Sequence, residues 1–309
     1  MADCNKPKLL AVAGPTASGK TALAICLARQ YGGEIISADS MQIYRGLDIG
    51  TAKATAEERA AVPHHLIDIA EPEQAYSVAD FIPLAQQKIA EIAARGHLPI
   101  LCGGTGLYLS TLVNGITFTE ENGDETVRCR LAEELAANGA AHMLAKLSAV
   151  DPAYAAKLHE NDHKRVLRAL ELYEKTGKTM SQQLMDSRPA SKPYDALVFA
   201  LNYESRDLLY SRINLRVDKM LEQGVLPEAR LVYEHREAWK TAAQAIGYKE
   251  FFPYFEGQQT LAECAEKLKQ ATRNYAKRQL SWFRGMPEIH WLDAAAPQPE
   301  PTLESWLAR

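Results

Sequence analysis

The hydrophobic pattern of the chain alternates between short apolar runs and longer amphipathic stretches. Each apolar run has the length of a strand, and stretches such as 21–30 and 81–95 have the apolar spacing of helices. Alternation of this kind is typical of βαβ units around a parallel sheet, so the pattern predicts an α/β fold. The predicted strands are 9–13, 34–37, 98–102, 196–202 and 289–292.

A long helical stretch interrupts this alternation between the third and fourth predicted strands. The intervening chain is too long for one crossover connection, and its apolar spacing is helical over 132–147 and 152–175. Polar, turn-rich segments at 119–127 and 187–195 bound it. The sequence therefore predicts an α/β core formed by residues 1–118 and 193–309, with a mainly helical insertion domain at 119–192.

A helix is predicted over 206–222, directly after the fourth strand. Ser205 is a suitable N-cap, because its hydroxyl can accept a hydrogen bond from the first turn, and Gly224 is a suitable terminator. Arg212 and Arg216 are four residues apart on this helix and so share one face.

The strongest chemical signal lies between the first predicted strand and the helix that follows it. The run has the form GxxxxGK[ST], and its strand–loop–helix context is the one that a P-loop requires. Its backbone N–H groups and the helix N-terminus bind phosphate oxygens, its lysine adds a full charge, and its hydroxyl can bind Mg²⁺. The predicted phosphate-binding residues are Gly14, Pro15, Thr16, Ala17, Ser18, Gly19, Lys20 and Thr21. The predicted fold is therefore a P-loop NTPase-like parallel sheet.

A P-loop identifies an anion but not a reaction. In a typical ATPase a later strand ends in an acid that helps to bind Mg²⁺. Here the third strand ends in Gly103, Gly104 and Thr105, and an acid, Asp39, follows the second strand instead. Because the carboxyl ends of parallel strands form the active crevice, Asp39, Thr105 and the P-loop are predicted to converge.

Composition narrows the class of protein. The chain has 309 residues, 47% of them hydrophobic and 24% charged, which is typical of a globular protein. It has no run of about 20 apolar residues and no signal-peptide pattern, so a cytoplasmic location without a membrane span is expected. Its five cysteines are scattered without CxxC spacing, which disfavours a disulfide framework or a zinc site. A monomer is the expected state.

The net charge of −4 hides one strongly basic segment. Residues 267–284 contain six basic side chains and no acidic one. If the segment is helical, Arg273, Lys277, Ser281 and Arg284 share a face that could follow a phosphate backbone. By itself such a face is more often merely solvated.

Three early runs of the chain resemble one enzyme family. GPTASGKTALA, SADSMQIYRGLDIGTAK and GGTGLYL are similar to motifs of the tRNA dimethylallyltransferase, or IPP transferase, family. The resemblance continues through DPAYAAKLHENDHKRVLRALELYEKTGK, RINLRVDKML, QAIGYKE and ATRNYAKRQLSWFR, and so covers nearly the whole chain in order. It implies transfer of a dimethylallyl group from dimethylallyl diphosphate to N6 of the adenosine on the 3′ side of the tRNA anticodon.

The resemblance also implies roles for individual residues. Asp39 becomes the proton acceptor, Lys20, Arg128 and Arg216 stabilise the leaving diphosphate with Mg²⁺ bound by Thr21, and Thr105 joins the catalytic set. The anticodon stem-loop is the expected partner. The residues implied to contact tRNA are Asp39, Ser40, Met41, Gln42, Thr105, Arg128, Lys164, Arg165, Val166, Leu167, Arg168, Gln244, Ala245, Ile246, Gly247, Tyr248, Lys249, Lys277, Arg278, Gln279, Leu280, Ser281, Trp282, Phe283 and Arg284. Without the resemblance, Trp282 and Phe283 are more typical of a hydrophobic core than of residues that stack on bases.

Two other functions are compatible with a P-loop on this fold. One is a small-molecule or nucleotide kinase, since a fold does not determine a function. The other is an RNA-binding protein with a vestigial P-loop, which the intact Lys20, Thr21 and Asp39 disfavour.

Overall fold

A six-stranded parallel sheet forms the centre of the fold. The structure, a computed structural model, describes residues 6–117 and 125–309. The strand order is β3-β2-β4-β1-β5-β6, and every neighbouring pair is parallel. The strands are β1 Lys8–Ala13, β2 Gly33–Ser37, β3 His64–His65, β4 Leu98–Gly103, β5 Asp195–Asn202 and β6 Ile289–Asp293. The predicted parallel α/β fold is confirmed.

Helices follow most strands, as the alternating pattern predicts. They are α1 Lys20–Tyr31, α2 Ala56–Ala61, α3 Val78–Ala94, α4 Gly106–Asn114, α5 Glu125–Val150, α6 Pro152–Ala155, α7 His163–Thr176, α8 Met180–Asp186, α9 Arg206–Glu222, α10 Val225–Glu234, α11 Phe252–Phe255, α12 Leu261–Arg284 and α13 Glu300–Leu307. Short 3₁₀ turns lie at Ala242–Gln244 and Lys249–Phe251. Among the helices in the described ranges, none combines the length and apolarity that a bilayer crossing requires.

The chain divides into two compact units. The core unit consists of Met1–Val113 and Lys192–Arg309, and the helical unit consists of Asn114–Ser191. Both breaks fall within a few residues of the predicted insertion boundaries, although the boundary predicted between 118 and 119 lies outside the described residues. The helical unit has its own hydrophobic cluster around Leu131, Met143, Leu147 and Val166.

Both faces of the sheet are buried in the core unit. Leu10 and Val12 of β1 pack with Leu27 of α1 on one face. Leu9 and Ala11, which alternate with them, pack with Phe81 of α3 on the other face. Side chains of a strand alternate between its two faces, and a parallel sheet covered on both faces therefore has strands that are apolar throughout.

A further cluster surrounds the loop after β2. Tyr44 and Leu47 of that loop are buried together with Val217 and Met220 of α9 and with Leu268 of α12. This cluster places the loop after β2 against helices α9 and α12.

Predictions of individual helices had different outcomes. The helix over 206–222 is confirmed, with the Ser205 side chain accepting the N–H of Asp207. Gly224, with φ 89°, immediately precedes α10. The helical pattern predicted over 152–175 is divided between α6 and α7, because the carboxylate of Asp162 accepts the N–H of His159 in a turn that separates the two helices.

A buried carboxylate lies near the amino end of β2, away from the carboxyl ends of the strands. Glu34 has both oxygens hydrogen-bonded, to Arg95 and to ring nitrogens of His65 and His97. Burial alone would raise the pKa of Glu34, but these hydrogen bonds outweigh it and lower the pKa to about 2. The ionised form is therefore the one that the fold stabilises.

We expect Glu34→Gln to reduce the free energy of unfolding near neutral pH by about 2 to 3 kcal/mol. A carboxylate whose pKa is lowered by folding contributes stability above its unfolded pKa and loses it as pH falls through the folded value. The difference between the parent and Glu34→Gln should therefore shrink between pH 5 and about 2. Denaturant unfolding across this range measures it, with the exposed Glu237→Gln as control. A difference that does not change with pH would contradict the assignment.

Candidate active site

The P-loop connects β1 to α1 in the core unit. Gly19 has φ 89°, a left-handed conformation that favours glycine, and α1 begins at the next residue, Lys20. The first N–H groups of a helix have no partner within it, so this end can bind an anion. Burial lowers the pKa of Lys20 from its usual value, and nearby Arg216 lowers it further. The loop thus presents backbone donors and one ammonium group to the same space.

Two arginines of α9 reach this loop, as their shared face predicts. The Arg212 Nε donates to the carbonyl oxygen of Ala17 over 3.2 Å, and Ala17 has a positive φ of 63°. Burial lowers the pKa of Arg216, while the carboxylate of Asp39 opposes that effect. Arg212 therefore supports the P-loop backbone, whereas Arg216 is a second cation close to both Lys20 and Asp39.

The loops after β2 and β4 are hydrogen-bonded to each other, as the sheet topology predicts. The N–H of Ser40 donates to Thr105 Oγ1 over 3.1 Å, and the N–H of Thr105 donates to the carbonyl of Ala38 over 3.3 Å. Asp39 Oδ1 accepts the N–H of Met41 over 2.9 Å. Within the described ranges no hydrogen bond is made by Oδ2, so that oxygen is left for a ligand.

One side chain of α12 joins the P-loop to the loop after β4. Gln279 Oε1 accepts the N–H of Thr16 over 2.9 Å, and Gln279 Nε2 donates to the carbonyl of Gly104 over 2.8 Å. Gln279 is buried, and the resemblance alone would have placed it in a tRNA-contacting segment. Its observed contacts show that it holds two loops of the candidate site together.

A cavity of about 540 Å³ opens beside these loops in the core unit. This volume lies within the range of sites that bind small molecules. Its lining comprises Thr16, Lys20 and Thr21 of the P-loop; Asp39, Ser40, Met41, Gln42, Gly50, Thr51 and Ala52 after β2; Arg216, Val217 and Met220 of α9; Lys240, Thr241, Gln244, Ala245, Ile246, Gly247 and Lys249; and Leu268, Thr272, Tyr275, Arg278 and Gln279 of α12. Thr105 does not line the cavity, although it fixes the backbone beside Asp39.

A second hollow of about 360 Å³ lies on another side of the P-loop. It shares Lys20, Thr21 and Arg216 with the larger cavity and adds Arg212 and Lys219. The acids Glu58 and Asp39 also belong to the two linings, so cations outnumber acids around the shared residues. Cations beside a bound anion stabilise negative charge as it accumulates.

Sequence reasoning missed three residues of α12 that line the cavity, the apolar Leu268 and two polar residues. Thr272 and Tyr275 precede Gln279 by seven and four residues, so the three share a helix face. Burial raises the pKa of Tyr275, and the nearby carboxylate of Asp39 raises it further. The polar spacing of 272, 275 and 279 was the available signal, but the basic residues between them dominated the pattern.

Among the predicted tRNA contacts in the core unit, exposed and buried side chains differ sharply. Exposed members are Gln244, Lys249, Lys277, Arg278, Ser281, Trp282 and Arg284. Buried members are Ala245, Gly247, Tyr248, Gln279, Leu280 and Phe283. Tyr248 and Phe283 are fully buried in hydrophobic clusters. Side-chain contact with tRNA is therefore left to the exposed members and to the partly buried ones, which are Asp39, Ser40, Met41, Gln42, Thr105 and Ile246.

The remaining predicted residues belong to the helical unit. Lys164, Arg165 and Arg168 are exposed on α7, with Leu167 partly buried and Val166 in the cluster of that unit. The guanidinium of Arg128 is exposed and lies 3.6 Å from the carboxylate of Glu171 within the same unit. Its predicted contact with a diphosphate stays a prediction.

Two family models match the chain. The model described as IPP transferase matches residues 42–286, and the model described as isopentenyl transferase matches residues 7–68. The matched regions include the P-loop, the loop after β2 and α12, which together form most of the cavity wall.

Curated relatives are similar over almost the full chain. The tRNA dimethylallyltransferase of Bacillus subtilis (strain 168) is 48% identical over 292 residues, covering 94% of this chain and 92% of the relative. The tRNA dimethylallyltransferase of Halalkalibacterium halodurans is 47% identical over 288 residues, covering 93% and 91%.

Solved structures have the same fold. The crystal structure of the full-length tRNA isopentenylpyrophosphate transferase from Bacillus halodurans has a TM-score of 0.71 at 44% identity, covering 98% of this chain and 95% of that one. A eukaryotic dimethylallyltransferase, described as acting on tRNA, has a TM-score of 0.78 at 34% identity, covering 93% and 74%.

Proposed function

The chain belongs to the IPP transferase family, and on that premise we propose that it transfers a dimethylallyl group from dimethylallyl diphosphate to tRNA. The acceptor is N6 of the adenosine on the 3′ side of the anticodon, and the products are N6-isopentenyladenosine and diphosphate. Curated relatives that bear this activity in their names support the proposal.

The observation that carries the proposal is that Lys20 and Asp39 line one cavity. A P-loop binds the diphosphate at one part of the wall, and a carboxylate with an oxygen left for a ligand lies at another part. Apolar side chains such as Val217, Met220 and Leu268 line the same space, which suits a prenyl group better than a second phosphate. This combination favours prenyl transfer over a kinase reaction.

The residues fit a direct displacement at the first carbon of the prenyl group. The adenine N6 forms a bond to that carbon while the carbon–oxygen bond to diphosphate breaks, and the diphosphate leaves with the bonding electrons. The N6 proton passes to Asp39, whose Oδ1 is fixed by the N–H of Met41. A base inside a tRNA loop has to be unstacked to reach this cavity, as in other enzymes that act on a base.

Cations of the core unit would stabilise the leaving diphosphate. Lys20 and Arg216 line both hollows beside the P-loop, so they can face the diphosphate oxygens as negative charge accumulates. Arginine suits this task because its planar fork can bind two phosphate oxygens together. We also propose that Arg128 of the helical unit contributes a further cation.

Mg²⁺ is the proposed cofactor. The fit rests on Thr21, whose hydroxyl oxygen lies in the first turn of α1 and lines both hollows beside the P-loop. Mg²⁺ usually binds few protein oxygens and takes its other ligands from phosphate and water, so the single Thr21 hydroxyl is sufficient. Bound there, Mg²⁺ would neutralise part of the charge on the diphosphate. A cytoplasmic location is proposed with the tRNA substrate.

tRNA binding is proposed for the exposed basic residues of α7 and α12. Lys277 and Arg284 lie two turns apart on α12, with exposed Ser281 between them on the same face. Arg273, the fourth member of the predicted stripe, instead bonds to Asn214 and Gln270. The proposed phosphate contact on this helix is therefore reduced to its C-terminal half.

We expect the double variant Lys277→Ala, Arg284→Ala to flatten the salt dependence of tRNA affinity by about two units of slope, one for each lost phosphate contact. Fluorescence anisotropy with an anticodon stem-loop at several salt concentrations measures the slope. The control is Arg29→Ala, Lys88→Ala, which removes two exposed or partly exposed cations from α1 and α3. Equal slopes for the double variant and the parent would show that this face is only solvated.

The function itself is tested by mass analysis of tRNA nucleosides after incubation with the protein, Mg²⁺ and dimethylallyl diphosphate. The expected result is an adenosine heavier by one dimethylallyl group in place of a hydrogen. A parallel incubation with labelled ATP tests for a kinase. If the tRNA stays unmodified and label is transferred from ATP, the protein is a kinase and the proposal is wrong. If the protein binds tRNA but catalyses neither reaction, it is an RNA-binding protein.

A further inference from the structure

Part of the cavity wall consists of two backbone segments that touch directly. Residues 50–52 follow β2 and residues 245–247 follow a 3₁₀ turn, and both triplets line the cavity. A Cβ on Gly247, whose φ is 119°, would lie 2.8 Å from the carbonyl oxygen of Gly50. The segments meet without a side chain between them, so a shift of either one changes the shape of the cavity.

A carboxylate behind this wall holds both segments. Glu228 of α10 accepts the N–H groups of Asp48 and Ile49 on Oε2, over 2.9 and 3.0 Å. Its Oε1 accepts the N–H of Gly50 over 2.9 Å and the hydroxyl of Tyr248. Glu228 lines neither hollow of the site. One side chain outside the cavity thus joins the three consecutive amides of residues 48–50, which lead into the first segment, to Tyr248, which follows the second.

The packing around these hydrogen bonds leaves little freedom. Tyr248 is fully buried, and a Cβ on Gly50 would lie 2.3 Å from its ring. Burial raises the pKa of Tyr248, and the neighbouring charge of Glu228 raises it further, so the hydroxyl stays a donor. Hydrogen bonds to a carboxylate are about twice as strong as those between neutral groups, so four on one carboxylate hold the wall firmly.

A second side chain supports the same loop from within the site. Gln42 Nε2 donates to the carbonyls of Thr51 and Ala52 over 3.3 and 3.1 Å, and its Oε1 accepts the hydroxyl of Ser37 over 3.0 Å. Ser37 ends β2, two residues before Asp39. The loop that begins at the proposed base is therefore held by Gln42 on one side and by Glu228 on the other.

We propose that Glu228 is a positioning residue for the acceptor nucleoside. It acts through Gly50 and Tyr248, whose backbone neighbours form part of the cavity wall, and it lines neither hollow itself. The inference rests on the proposed function, because it specifies which substrate this wall serves. The P-loop is hydrogen-bonded through Gln279 and Arg212 instead, so the diphosphate site does not depend on Glu228.

Glu228→Gln tests the proposal, because it keeps the size of the side chain. It places an amide NH₂ group, which cannot accept a hydrogen bond, where one carboxylate oxygen accepts backbone N–H groups. We expect kcat/KM for tRNA to fall roughly 10- to 100-fold, the range for a small misplacement of a bound reactant, mainly through KM. The dissociation constant for dimethylallyl diphosphate should stay at the parental value. Hydrogen exchange at the amides of residues 48–50 should accelerate. Tyr248→Phe, which removes one of the four donors, should have a smaller effect in the same direction.

Glu34→Gln is the matched control. Like Glu228, Glu34 is a carboxylate bound by several donors, but it lies near the amino end of β2. The substitution should lower stability without changing KM for tRNA well below its unfolding temperature. An unchanged KM in Glu228→Gln, or an equal loss of diphosphate affinity, would overturn the inference. A parental protein without transfer activity would instead overturn the proposed function, and this outcome is visible before any variant is measured.

Discussion

Asp39→Asn should slow the single-turnover transfer of the prenyl group by about 10²- to 10⁴-fold, the range that a positioned general base contributes. Asparagine has nearly the same size and can still accept the N–H of Met41 through its amide oxygen. It cannot take a proton at neutral pH, so the substitution separates proton transfer from positioning. The affinity for dimethylallyl diphosphate should remain close to that of the parent, because the P-loop contacts are unchanged.

Rapid mixing of enzyme in excess over labelled tRNA, followed by nucleoside analysis, measures the rate directly. Asp207→Asn serves as a control, because Asp207 is an exposed acid in the first turn of α9. A near-parental rate in Asp39→Asn would show that the carboxylate only positions the adenine, and that the proton leaves by another route.

Lys20→Ala should weaken the binding of dimethylallyl diphosphate about 10²-fold and leave tRNA affinity nearly unchanged. A hydrogen bond to a charged group contributes up to about 3 kcal/mol, and 1.4 kcal/mol corresponds to a factor of ten in affinity. The loss should approach this upper value, because Lys20 is partly buried and this burial already lowers its pKa. Water cannot replace such a group as effectively as it does at an exposed site.

Calorimetric titration with the diphosphate and anisotropy with tRNA measure the two affinities separately. Lys88→Ala on α3, which removes a lysine paired with Glu91, is the control. Parental affinity of Lys20→Ala for the diphosphate would remove the P-loop from the proposed site.

The sequence was sufficient to predict features whose signals lie within a few residues of each other. Ser205 caps α9 through its own hydroxyl, and Gly19 occupies a left-handed position that few other residues accept. Both signals lie within a few residues of the structure that they predict. The strand β3 has only two residues, His64 and His65, which is too short for a periodic pattern.

The supports of the candidate site could not be predicted, because they join residues that are distant in sequence. Glu228 bonds to Gly50, and Gln279 bonds to Thr16, across most of the core unit. Nothing in the composition around Glu228 distinguishes it from a solvated helix acid. The loops that bear Asp39 and Thr105 were predicted to meet only because parallel strands end at a common edge, and their hydrogen bond agrees with that expectation.

The contacts of Gln279 have a consequence for biosynthesis. The P-loop amide of Thr16 donates to a side chain of α12, which lies far away along the chain. During translation, the partner of Thr16 is synthesised 263 residues later. A nascent chain therefore cannot form this contact between the P-loop and α12 until residue 279 has left the ribosome.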